Sequence, residues 1–419
     1  MEVIVQHGNQ DDNTNAHIHR TRRQKIFLVL MLGALNTVTP FSIDMYLPGF
    51  QQIADELNTT TASVALSVSS YFLGFSLGQI IYGPLLDRFG RKQPLYIGLG
   101  LYVVATFACI TAHSITTLLV FRFIQALGGC VSSVAAMAMV SDFFPAKEST
   151  RIISLLVLIL GVSPLLAPTV GGFIVAAWGW HWVFVLLAVI VLLMLIVVIL
   201  FLPEGHQPDT SVDLRPTPII NNFKQILFTP QFYIFSLAGS FSFSGLFVYV
   251  AGSPAIFMDG FHLSAKLYGG VFALLSVGFI GGSQLNHFLT KNYSNEQILS
   301  TTLIVQVTTA IVYFVGVKNE WYALPGNIIC LFVLLLCVGL TYPNAAAMAL
   351  QPFTKNAGRA SALLGFIQIG IGGVISSGVG MMGSKGSLST SFIMLASAVV
   401  AFIILLAGKR KTMQQTTAL

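Results

Sequence analysis

The decapeptide Gly83-Pro84-Leu85-Leu86-Asp87-Arg88-Phe89-Gly90-Arg91-Lys92 sets three cations and one acid beside turn-forming residues, between two long apolar runs, 64–85 and 94–112. Such a charged knot is conspicuous in this chain, where 9% of 419 residues are charged and 55% are hydrophobic. A soluble globular domain carries about 25% charged residues, so a water-soluble fold is excluded. Outward from the knot, apolar runs recur at 26–48, 64–85, 94–112, 115–140, 152–175 and 183–202, and after a proline-bearing stretch at 232–257, 267–289, 298–317, 322–343, 357–382 and 388–407. A membrane-crossing helix needs about 20 largely apolar residues. In lipid every backbone polar group must be paired internally, so these runs are expected to be twelve transmembrane helices.

The basic residues test that count, because a missed span would scramble the side assigned to every later loop. Of the 21 Lys and Arg residues, Lys266, Lys318 and Lys385 fall in loops opposite the amino terminus and Arg122 falls within a span; the other 17 lie on the amino-terminal side. Both termini are therefore expected in the cytoplasm. The net charge of +6 reads as a topology signal, not as a nucleic-acid surface. The segment Gly282 to Lys291 (GSQLNHFLTK) faintly echoes Gly83 to Lys92 at the same place in the second half, which suggests parallel repeats with a substrate site at midplane between them. The expected organisation is a cytoplasmic tail over 1–25, a six-helix bundle over 26–202, a cytoplasmic linker over 203–230, a second six-helix bundle over 231–408 and a cytoplasmic tail over 409–419. Polar residues 10–15 and the lack of an apolar core in the first 25 residues argue against a cleavable signal peptide. His7, His17 and His19 read as part of a solvated tail, and Cys109, Cys130, Cys330 and Cys337, all in apolar stretches, as packing residues without metal spacing.

At its place between the second and third of twelve spans, the knot resembles the loop signature of the major facilitator superfamily. Within it Asp87 adds nothing to topology but suits a helix amino terminus, where the dipole favours negative charge. The resemblance implies that Gly83, Asp87, Arg88, Gly90 and Arg91 form a conformational switch, with Asp87 meeting the start of span 11 near Asn356 to Arg359 and Arg91 pairing with Asp142, the acid closing span 4. Asp142 ends a span running inward, which places it at the same membrane face as Arg91.

Late in span 1, Phe41-Ser42-Ile43-Asp44-Met45-Tyr46-Leu47-Pro48 resembles a stretch of the bicyclomycin-resistance (Bcr/CflA) group of drug exporters. Asp44 is the ionisable residue deep in that span, about 27 Å along a helix from Ile26. Thr37, Pro40, Phe41 and Asp44 share a helical face expected to line the cavity. In span 4, Arg122, Gln125, Gly129 and Ser133 recur at helical spacing and match the family's R-x-x-Q-x-x-G pattern. An arginine inside the membrane costs several kcal/mol unless paired or wet, and so marks function by default. Asp44 and Arg122, at similar expected depth on neighbouring spans, are read as proton-coupling partners: a carboxyl beside a cation stays ionised, whereas one buried alone takes up a proton. One drug-exporter pattern has a second acid two turns earlier in span 1, where this chain has Asn36. Neutral or zwitterionic compounds are accordingly expected to be handled better than strong cations.

In span 5, Gly161-Val162-Ser163-Pro164-Leu165-Leu166-Ala167-Pro168-Thr169-Val170-Gly171-Gly172 bends at its prolines and permits close approach at its glycines. Gly161, Pro164, Pro168, Gly171 and Gly172 resemble the superfamily's antiporter signature, which in that family separates exporters from symporters. Apart from Arg359 at the very start of the run 357–382, charged residues are absent from the second-half spans, whose contribution is expected from shape, aromatic surface and hydrogen bonding, with Ser242, Phe243, Tyr249, Tyr342, Asn344 and Gln368 as candidates. The expected cavity set is Asn36, Thr37, Phe41, Tyr46, Gln125, Ser133, Phe243, Tyr249 and Gln368.

These readings lead to an all-α integral membrane protein with the major facilitator fold. Its expected activity is proton-coupled efflux of small, partly apolar compounds, antibiotics included, across a bacterial inner membrane. An exporter or symporter of a small metabolite such as a sugar or amino-acid derivative shares the fold, is separated mainly by the span 5 signature and by substrate assays, and stays open as the alternative. Membrane enzymes are disfavoured because H-E-x-x-H, a G-x-S-x-G elbow near a His and an Asp, and a P-loop are all missing from the sequence. The GxGxxG spelled by Gly378, Gly380 and Gly383 has no preceding strand. No cofactor, metal or nucleic acid is implied; the partners are substrate, protons and lipid, and the chain is expected to be a monomer.

Overall fold

The structure, a computed structural model, describes residues 21–203, 208–209, 216–353, 357–382 and 386–417. Among them are twelve helices long and apolar enough to cross a membrane. In chain order these are α1 (Arg22–Asp44), α2 (Thr61–Arg88), α3 (Lys92–Ile110), α4 (Ile115–Phe143), α5 (Ala146–Trp178), α6 (His181–Phe201), α7 (Pro230–Pro254), α8 (Ala265–Leu289), α9 (Asn295–Lys318), α10 (Leu324–Leu350), α11 (Ala357–Met381) and α12 (Gly386–Thr417). Helices start where a hydroxyl can take an orphan backbone N–H: Thr21, Thr60, Ser114, Ser264 and Ser294 each cap the following helix. They end where the backbone must turn back. Gly90, at φ +78°, makes the tight return from α2 to α3, and Gly179, at φ +91°, does the same after α5.

Helical ends depart from the apolar runs where amphipathic turns extend past the lipid. α2 starts three residues before its run, α5 starts at Ala146 ahead of 152, and α12 continues to Thr417. The first run, read as continuous to Pro48, instead stops at Asp44; a 3-10 turn at Leu47–Gly49 and a short helix Phe50–Glu56 follow. The stretch between the halves contains a helix, Pro216–Leu227, whose Ile226 is buried in an apolar cluster with Phe232, Leu363 and Leu364. His7, His17, His19 and Gly383 lie outside the described residues.

The fold is two six-helix bundles, α1–α6 and α7–α12. The bundles meet along two seams, α2 on α11 and α5 on α8. Both seams are built from glycines that let backbones touch on the half of the membrane away from the amino terminus. A β-carbon at Gly380 of α11 would stand 2.6 Å from the Ala62 carbonyl oxygen of α2, and one at Gly172 of α5 would stand 2.6 Å from the Ala265 carbonyl oxygen of α8. Ser69 and Ser376 share a hydrogen bond of 2.8 Å across the first seam, and Thr61 donates to Asp259 near its far end. Towards the amino-terminal face Ser76 still donates to the Phe366 carbonyl at 2.9 Å, whereas a β-carbon at Gly83 would meet nothing within 4 Å.

Candidate transport site

Arg122 of α4 is fully buried and is the largest charged group in the interior. Its Nη2 donates to the Ser42 carbonyl at 2.9 Å and its Nη1 to Gln125 Oε1. Gln125 in turn donates to Thr106 Oγ1 at 2.7 Å, and Ser42 Oγ shares a 2.6 Å hydrogen bond with Tyr102. The rings of Tyr46 and Tyr71 cover the guanidinium, with centroids 4.3 and 4.4 Å from its carbon. The logic is that of a helix carboxyl end. α1 stops at Asp44, its last carbonyls have no intrahelical donor, and a cation there is favoured by both hydrogen bonding and the helix dipole. Cation–π contact supplies the remaining solvation that water gives elsewhere.

Asp44 does not meet Arg122 in this arrangement. The reason is angular: at about 100° per residue, Ser42 and Tyr46 each lie about 200° around α1 from Asp44, so the turn that engages Arg122 aims Asp44 the other way. Asp44 is 4% exposed and makes none of the described hydrogen bonds or ion pairs. It lines a cavity of about 120 Å³ between the bundles, together with Pro40, Ile43, Phe72, Gly161 and Pro164 of the first and Leu246, Phe247, Tyr249, Val250, Phe272, Ser276, Phe279 and Leu335 of the second. Phe72 and Phe247 touch across the bundle boundary at 4.2 Å between ring centroids. The wall is therefore apolar and aromatic, with Asp44, Tyr249 and Ser276 as its polar residues. Ser276 spends its hydroxyl on the Phe272 carbonyl at 2.9 Å.

Of the residues expected in the cavity, Tyr249 lines it and the others lie elsewhere. Asn36 is buried and donates across to the Leu156 carbonyl of α5 at 3.1 Å. Tyr46 and Gln125 belong to the fully buried Arg122 cluster. Thr37 turns back to the Ala34 carbonyl and Ser133 to the Cys130 carbonyl, as short hydroxyls in helices do. Phe41 packs against the core, Phe243 stacks within an aromatic group with Phe247, Phe279 and Tyr342, and Gln368 faces a crevice beside Tyr342 with no room for water.

At the amino-terminal face Arg91 grips Asp142 with two bonds, Nε to Oδ2 at 2.7 Å and Nη2 to Oδ1 at 3.3 Å. Its Nη1 also reaches Asp87 at 2.9 Å. Burial works against the Arg91 charge, but the two carboxylates outweigh it and raise its pKa above the ordinary arginine value. Asp87 thus meets Arg91, one helical turn away, and its carbonyl accepts from the Asp209 N–H at 3.2 Å. Arg359 is exposed and Asn356 lies outside the described residues. Arg88 stands 6.0 Å from the Phe89 ring. In α5, Gly161 and Pro164 line the cavity, the Pro168 carbonyl abuts Gly269, Gly172 abuts Ala265, and a β-carbon at Gly171 would overlap the Met45 carbonyl of the first bundle.

Sequence reading missed Tyr71, Tyr102 and Thr106 around Arg122, and Phe72 and Phe247 in the cavity wall. It also missed a buried triad in the second bundle, where Ser242 Oγ contacts both Gln306 Oε1 and Thr341 Oγ1 at 2.7 Å. Gln306 was findable as a lone amide in an apolar span; the phenylalanines carried no distinguishing signal.

A family model described as "Major Facilitator Superfamily" matches residues 32–377. The chain belongs to that superfamily, and it is a multi-pass membrane transporter. It is 27% identical to a "Bicyclomycin resistance protein homolog" of Haemophilus influenzae, covering 91% of this chain and 96% of that protein. It is also 27% identical to "Multidrug resistance protein D" of Escherichia coli, over 89% of this chain and 93% of that protein. Among solved structures, a bacterial homologue of the human lysosomal transporter Spinster, inward-facing and occupied, superposes with a TM-score of 0.75 at 17% identity, covering 93% and 98% of the two chains. That likeness speaks to the fold.

Proposed function

We propose that this transporter is a proton-coupled antiporter that exports small, partly apolar compounds, antibiotics among them, across a bacterial inner membrane. The observation that carries the reading is the position of Asp44: a carboxyl without hydrogen-bonding partner in an apolar, aromatic cavity between two bundles. Leaving a carboxylate there is costly, since burial without a partner penalises charge, and the terminal carbonyls of α1 point the same way. A proton on Asp44 removes both penalties, and water or a substrate donor reaching the cavity removes them differently. Proton and substrate thus compete for one group, which is what exchange requires. The names of the two 27%-identical relatives favour drugs as cargo.

In this reading Asp44 carries the proton, and Arg122 supports it indirectly, by fixing the end of α1. Gly83, Asp87, Arg88, Gly90, Arg91 and Asp142 form the switch at the cytoplasmic face, the face with the excess of Lys and Arg. In the antiporter-like stretch Pro168 and Gly172 lie in the closely packed seam that closes the opposite side, Gly171 packs behind it on Met45, and Gly161 and Pro164 face the cavity. The protein works as a monomer with both termini inside the cell.

At about 120 Å³ the cavity is smaller than the roughly 300–1,000 Å³ of a drug-sized site, so the bundles must separate to admit cargo. The same figure favours a second reading, export of a small metabolite. Expression in an efflux-deficient bacterium distinguishes the two. Antibiotic export predicts raised resistance to an amphenicol, bicyclomycin or a fluoroquinolone that a protonophore abolishes; unchanged susceptibility to all three overturns it.

A further inference from the structure

Two residues that line the cavity have polar side chains with no hydrogen-bonding partner among the described residues, and they sit on opposite bundles. Tyr249 of α7 is 1% exposed, and its hydroxyl makes no hydrogen bond among the described residues, although its ring is firmly seated at 5.2 Å from Phe272. Asp44 of α1 is the other. The neighbouring buried hydroxyls are satisfied: Tyr268 shares a 2.8 Å bond with Ser253, and Tyr46 shares one of 2.8 Å with Ser67. Buried hydroxyls are nearly always bonded, so an orphan on a residue of the cavity wall marks a place for an arriving group. A phenol both donates and accepts, whereas a carboxylate only accepts.

We infer that Asp44 and Tyr249 form a two-point clamp for substrate, an assignment that rests on the export reading above. The ligand is an apolar molecule with two hydrogen-bonding groups. One is an N–H or O–H that donates to the Asp44 carboxylate, and the other is a donor or acceptor that meets the Tyr249 hydroxyl. Phe72, Phe247 and Phe272 enclose the apolar body between them. Because each point belongs to a different bundle, a bound molecule ties the two together, and a lipophilic cation lacking any hydrogen-bonding group meets Asp44 by charge alone and makes no bond to the Tyr249 hydroxyl.

The test uses the purified full-length protein in lipid nanodiscs, with chloramphenicol, which has hydroxyl and amide groups on an aromatic body, and tetraphenylphosphonium, which has none. Binding is measured by calorimetry for wild type, Tyr249→Phe and Tyr249→Leu at a pH that leaves Asp44 able to bind proton or ligand. Removing one neutral hydrogen bond predicts a Kd for chloramphenicol about three- to tenfold higher in Tyr249→Phe. Tetraphenylphosphonium, which cannot use the hydroxyl, is expected to bind equally to wild type and Tyr249→Phe. If Tyr249→Phe binds chloramphenicol as wild type does and only Tyr249→Leu loses it, the residue contributes shape alone and the clamp is overturned while export stands. If wild type binds neither chloramphenicol nor bicyclomycin and confers no resistance to them, the export reading falls and takes the clamp with it.

Discussion

Arg122 Nη2 lies 2.9 Å from the main-chain oxygen of Ser42, two residues before Asp44. The membrane-buried cation therefore holds the backbone that presents the acid, and leaves the acid itself free for other partners. A side chain of another shape cannot do this, because one guanidinium fork serves Ser42 and Gln125 while its flat faces pack on Tyr46 and Tyr71.

Replacing Arg122 with Lys keeps the charge but loses the fork and the ring stacking. Transport is expected to fall at least tenfold, scored as resistance at matched protein level. Arg122→Leu also forfeits hydrogen bonds to a charged group, worth about 1.5–3 kcal/mol each, and its thermal midpoint in detergent is expected to drop. Unchanged transport in Arg122→Lys would remove the fork from the account.

Asp44→Asn keeps the size and removes the exchangeable proton. In proteoliposomes, drug-driven proton movement is expected to disappear from Asp44→Asn while the protein still elutes as a folded monomer. Proton movement at the wild-type rate would refute the assignment of Asp44.

The Arg91–Asp142 bridge is expected to behave as an exchangeable pair. Arg91→Asp alone is predicted to impair transport severalfold, and Arg91→Asp with Asp142→Arg to recover a substantial part of it. The sign of the pH dependence follows from the raised Arg91 pKa. A cation with a raised value holds its contribution at every pH below the ordinary arginine value and loses it only above that. Raising the pH from 7 to 9 should therefore not loosen this bridge, and cysteine cross-linking between α2 and α4 at the two pH values checks it.

Glycine substitutions separate the closely packed end of α5 from the open face. Gly171→Ala would drive its methyl into the Met45 carbonyl, and Gly172→Ala would crowd Ala265, so both are expected to lower thermal stability by several degrees. Gly83→Ala meets nothing within 4 Å and is expected to leave the melting temperature within about 1 °C, near the ±0.5 kcal/mol of a neutral substitution. Equal losses at all three positions would contradict the asymmetry.

The twelve helices were legible because lipid leaves the backbone few options, and a run of apolar residues announces each crossing. The Arg91–Asp142 pair was legible through the resemblance of the loop, with which the place of Asp142 near the inward end of α4 agrees. The proposed pairing of Asp44 with Arg122 was not secure, because depth along a helix says nothing of azimuth: Ser42 and Tyr46 face α4 and Asp44 does not. Main-chain oxygens make the partner of Arg122 invisible in any residue pattern, and the Ser242, Gln306 and Thr341 contacts join positions 64 and 99 residues apart. Tyr249 was nameable as an aromatic candidate, but its unpartnered hydroxyl is a property of packing.

With its terminal turn pinned to α4, α1 carries Asp44 as a stationary part of one bundle. Whatever alters the surroundings of that carboxyl must come from α7 and α8 shifting past it. On the proposed assignment of Asp44, the proton's berth does not travel through the membrane; the membrane's two aqueous sides are brought to it by turns, and energy conversion amounts to deciding which of them has access.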